Sequence, residues 1–75
     1  MKKLDNKEYL MKISERVKEI RTQKGLSLYA FAKKMNTSRT QAIRIESGQN
    51  TGIGTLRDVC IALDVKLIDL LNIDE

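Results

Sequence analysis

The stretch from Ser27 to Gly48, SLYAFAKKMNTSRTQAIRIESG, decides the fold. Ser27 is a good N-cap, with a hydroxyl placed to accept the amide of Ala30 and to leave the other first-turn amides facing outward. Phe31, Ala32 and Met35 then give the helix that follows an inner side, and Ala32 is small where a crossing helix must come close. Asn36-Thr37 makes the turn. Ser38 with Gln41 matches the S-x-x-Q capping box, which opens a second helix over residues 38–47. From that start Ala42 and Ile45 face inward at i and i+3, so Arg39, Thr40 and Arg44 are displayed on the outer side. Gly48 ends the helix. Two short helices on a tight turn, the second rich in side chains that hydrogen-bond to base edges, form the layout of a helix-turn-helix that docks in the DNA major groove.

Upstream, Leu10, Ile13, Val17 and Ile20 recur at helical spacing, and Gly25 supplies a left-handed stop after Lys24. Residues 1–12 form a basic extension in which Asp5 and Glu8 are spaced as a helix-opening pair. The pattern fits either a loose arm or an extension of the helix. Downstream, residues 49–54 read as a polar, glycine-rich loop anchored by Ile53. Leu56, Val59, Cys60 and Leu63 describe a fourth amphipathic helix, and Leu67, Leu70 and Leu71 a short fifth one. Asp64-Val65-Lys66 punctuates the two. The domain is expected to span residues 13–72, with 73–75 as a tail and Asn72 to Glu75 fraying.

Seventy-five residues make one domain, able to bury roughly 60% of its extended-chain surface. Residues 1–47 carry twelve Lys/Arg against five Asp/Glu, whereas residues 48–75 carry two against five. The basic excess therefore lies on the half that holds the two-helix unit, which favours a polyanionic partner over a merely solvated face. A single cysteine rules out an internal disulfide, and Cys60 falls in an apolar helical run as buried filler. With no histidine there is no usual zinc set and no nucleophile-base pair, so neither a metal, a cofactor nor an enzyme is expected. The chain lacks a long apolar run and a signal-peptide core, from which we expect a cytoplasmic location and no membrane partner.

Val17-x-x-x-Arg21, Gly25-Leu26-Ser27, Phe31-Ala32, Ser38, Ile45-Glu46-x-Gly48, Ile53-x-x-Leu56 and Ala62-Leu63-x-Val65-x-Leu67-x-x-Leu70-Leu71 together resemble the lambdoid phage repressor and Cro family, also called the XRE or Cro/C1-type helix-turn-helix. The likeness runs from about Ile13 to Leu71 without a gap. It implies an all-α, compact five-helix, lambda-repressor-like domain. It also implies a transcriptional regulator, expected to be a repressor, that binds a double-stranded DNA operator sequence-specifically.

Residue by residue, the resemblance places Arg21 and Glu46 as a structural pair tying the first helix to the end of the recognition helix. Arg39, Thr40 and Arg44 match base-reading positions, flanked by Ser38 and Gln41. Arginine's planar fork suits guanine O6 and N7. Ile43 falls on the same exposed side and is either a reader of a thymine methyl or an ordinary exposed apolar residue. Phosphate contacts are expected from Arg21, Lys33, Gln41, Gln49, Asn50 and the backbone at Leu28, which stands where the family usually has a phosphate-reaching glutamine. Asn36 and Asp64 replace glycines common after helix ends, and both tolerate left-handed geometry. Lys66 replaces a usual serine cap, which should weaken the last helix. Leu67, Ile68, Leu71 and Ile73 suggest a homodimer interface, or else close the bottom of the core. The alternative function is an antitoxin or adaptor of the same fold whose main partner is a protein, such as a toxin or another regulator, with Tyr29, Ile43 and Ile61 as contacts.

Overall fold

A computed structural model describes residues 3–49 and 51–74. Among these there are five helices and no strand: α1 (Asn6–Gln23), α2 (Leu28–Lys34), α3 (Arg39–Glu46), α4 (Ile53–Leu63) and α5 (Leu67–Leu71). The fold is all-α, as the periodicity predicts.

Each start has a local chemical cause. Asp5 and Glu8 form a full capping box, the Asp5 carboxylate accepting the Glu8 amide at 2.8 Å and Glu8 accepting the Asp5 amide at 3.3 Å. Helix α1 thus begins at Asn6 and carries residues 6–12 as regular helix. Ser27 Oγ accepts the Ala30 amide at 3.0 Å, and Ser38 Oγ accepts the Gln41 amide at 3.1 Å. Only this half of the predicted Ser38/Gln41 capping box forms, because the Gln41 side chain turns into a groove against α4 instead.

The ends of α1 to α4 share one solution. A residue with positive φ follows the last turn, namely Gly25, Asn36, Gly48 and Asp64. The amide after it reaches back six residues' span to an orphan carbonyl: Leu26 to Arg21 at 3.1 Å, Thr37 to Ala32 at 3.0 Å, Gln49 to Arg44 at 2.9 Å, and Val65 to Cys60 at 3.0 Å. This is the Schellman arrangement, reached at two of the four sites by Asn or Asp rather than glycine.

Phe31 is the largest fully buried side chain, in one core cluster with Ile13, Val17, Ile20, Ala32, Ala42, Ile45, Leu56, Val59, Leu63 and Leu70. Cys60 is buried among them. Burial pushes its thiol up, and the Asp69 carboxylate adds to this, so the group stays protonated at neutral pH. Leu10 is half-buried rather than central.

Two expectations need correction. Ile53 does not anchor a loop: it is the first residue of α4, it is 67% exposed, and Gly52 provides the cap position. Lys66 gives α5 no side-chain cap bond, in line with the expectation, while the Asp69 carboxylate accepts the Lys66 amide at 2.9 Å. The tail from Asn72 does not simply fray, since Ile73 packs half-buried against the core and its amide reaches Leu71 O at 3.0 Å.

Candidate nucleic-acid interface

Helix α3 buries Ala42 and Ile45, which turns Arg39, Thr40, Ile43 and Arg44 to the opposite side, all four exposed. Neither the Arg39 nor the Arg44 guanidinium is hydrogen-bonded or ion-paired to any described residue. Ser38 lies at the head of this row, its hydroxyl engaged in the cap bond.

The Arg21–Glu46 pair holds the far end of α3 in place. Arg21 Nε donates to Glu46 Oε2 at 2.6 Å and Nη2 to Oε1 at 3.2 Å, while Nη1 donates to the Leu26 carbonyl at 2.7 Å. The two side chains are only 11% and 9% exposed. Bidentate, charge-assisted bonding in a nearly dry site fixes α3 against α1. Three of the five guanidinium N–H donors are engaged in this way, which leaves two for a phosphate.

The other expected phosphate contacts separate by flank. Lys33 is exposed, its ammonium 6.0 Å from the centroid of the Tyr29 ring, in a notch of about 550 Å³ that also contains Asn36, Thr37, Ser38 and Arg39. Gln49 is exposed just past the end of α3. Gln41 lies on the other flank, in a groove shared with Thr55 and Asp58, whose carboxylate repels a phosphate. Leu28 lines a cleft with Lys18, Arg21, Ile43, Glu46 and Ser47. Asn50 lies outside the described residues.

Lys18 was not legible as part of this face. A lysine on an amphipathic helix reads as a solvated charge, and only the packing of α1 beside α3 brings it near Ile43. Its position three residues before Arg21, one turn along the same helix, is the signal that was available. At the other end of the molecule, Ile68 is 70% exposed, while Leu67, Leu71 and Ile73 are half-buried against the core. Tyr29 and Ile61 are also exposed. No group of three or more His, Cys, Asp or Glu is placed to hold a metal, and no helix is long and apolar enough to cross a membrane, among the described residues.

Helix α3 is thus capped at its start by Ser38 and tied at its end through Glu46, with Arg39 and Arg44 bonded to no described residue on its exposed face. The helix-turn-helix family model HTH_3 matches residues 17–70, and the chain belongs to this family, the XRE or Cro/C1 type. Among solved structures it is similar to the restriction-modification controller protein C.AhdI from Aeromonas hydrophila, with 32% identity over 81% of this chain and 94% of that one and a TM-score of 0.74. Comparison with curated proteins gives no significant match. The chain is a DNA-binding transcriptional regulator, not an enzyme.

Proposed function

We propose that the chain recognises a specific duplex operator by laying α3 in the major groove, and that it represses by occupying that site. The observation that carries this is the pair of guanidiniums, Arg39 and Arg44, bonded to no described residue and standing on the face of α3 opposite its buried stripe. In this reading Arg39, Thr40 and Arg44 contact bases, while Lys33, Gln49 and Asn50 contact phosphates and seat the domain. The likeness to a restriction-modification controller supports a regulatory role for the bound chain.

The test is selection of bound duplexes from a random pool by the full chain. A recovered consensus supports the reading, and a pool that stays random overturns it. Lys33→Ala is expected to weaken selected and random duplexes alike and to reduce the slope of log K against log salt by roughly one. A loss confined to the selected sequence would move Lys33 among the base readers.

We further propose a twofold dimer through α5, supported by Ile68 and its half-buried neighbours Leu67, Leu71 and Ile73. Such a dimer would set half-sites about 34 to 36 Å apart, one DNA turn. Sedimentation at micromolar concentration is expected to give twice the 8.6 kDa chain mass, and Ile68→Lys to return the monomer. A monomer both with and without the selected duplex would remove this proposal.

A further inference from the structure

Leu28 and Ile43 come from different helices and are fifteen positions apart in the chain, yet they line one cleft of about 290 Å³ beside the reading face. The polar groups at its back, Arg21 and Glu46, are bonded to each other, and Arg21 also to Leu26. Three of the five Arg21 N–H donors and both Glu46 oxygens are thus engaged within the protein. Ser47 also lines the cleft, its hydroxyl donating to the Arg44 carbonyl at 3.2 Å, and the apolar part of the lining is aliphatic carbon from Leu28 and Ile43. Lys18 stands at the rim, exposed and in no ion pair with any described residue.

Through Ile43 the cleft adjoins the exposed row of α3. Ile43 lies four residues after Arg39 and three after Thr40, on the same side of α3, and is 45% exposed. The aliphatic group that an unmodified major groove presents is the 5-methyl of thymine. A basic rim beside an apolar wall matches a nucleotide whose base carries that methyl and whose backbone carries a phosphate.

We propose that the Leu28–Ile43 cleft is a specificity site for the 5-methyl group of a thymine in each half-site, with Lys18 at the neighbouring phosphate. This rests on the proposal that α3 lies in the major groove. The rise over four helical residues is about 6 Å, so the thymine lies one to two base steps from the base met by Arg39. The chemistry is that of the 5-methyl and not of thymine as such. A 5-methylcytosine at the same position is therefore bound more tightly than cytosine, making occupancy sensitive to cytosine-5 methylation there.

The test uses the full chain and the duplex recovered by the selection above, with each thymine replaced singly by deoxyuridine. Burial of one methyl corresponds to about a fourfold change in affinity. The expected result is one position per half-site where uracil weakens binding about fourfold for the natural chain and has no effect for Ile43→Ala. Ile43 is exposed, so this variant folds, and 5-methylcytosine placed there should bind about fourfold more tightly than cytosine. A consensus with no uracil-sensitive position, or one whose sensitivity persists undiminished in Ile43→Ala, overturns the methyl site and leaves DNA reading intact. Failure to recover any consensus overturns both.

Discussion

Arg21→Ala is expected to lower the unfolding free energy by ~3 to 5 kcal/mol, the cost of stripping one partner from a nearly buried ion pair. For a chain of this length the whole stability is only ~4 to 11 kcal/mol, so the variant should be partly unfolded at 25 °C. Three contacts disappear together: two to Glu46, whose carboxylate is then left without its cation, and one to the Leu26 carbonyl. Arg21→Ala/Glu46→Ala should be less damaged than Arg21→Ala, because no buried charge is orphaned. Arg21→Lys should not restore the loss, because an ammonium cannot reproduce the two-pronged bond. Urea denaturation followed by circular dichroism measures all three. A loss below 1 kcal/mol for Arg21→Ala would place the pair with ordinary surface ion pairs.

The second large effect concerns binding without stability. Arg39→Ala/Arg44→Ala is expected to cost ~2 to 6 kcal/mol on the selected duplex, at ~1 to 3 kcal/mol for each bidentate contact with a guanine. Both side chains are exposed and bonded to no described residue, so the melting temperature should be unchanged. Titration of selected and random duplexes at one fixed salt concentration separates the roles. A loss of equal size on the two sequences would show that these arginines meet only phosphates.

Much of the fold follows from short-range rules that act within one turn of chain. Ser27 and Ser38 cap, Gly25 and Gly48 stop, and Asn36 and Asp64 take left-handed geometry because the residue types allow it. What escaped those rules depends on contacts that local pattern does not encode. The Asp69 carboxylate rescues the start of α5 although Lys66 itself offers no acceptor. Ile53 keeps helical spacing with Leu56 yet faces water, because a first-turn residue is covered only if another segment crosses it. Among the candidate site residues, the exposed side of α3 follows from Ala42 and Ile45 alone. By contrast, the sharing of a cleft by Leu28, Lys18 and Ile43 depends on how three helices meet.

Helix α1 holds its neighbours through arginines at two levels. Arg21 holds α3 through Glu46, and Arg16 Nε donates to the Asp69 carbonyl of α5 at 3.0 Å. Five residues of helix separate them, about 7.5 Å of stiff rod. In the twofold pair proposed above, this rod would link the self-association surface to the reading head with no hinge between. It would work as a fixed calliper: an operator whose halves are moved apart by one base pair would have to twist to be held by both copies, because the protein has no slack to give.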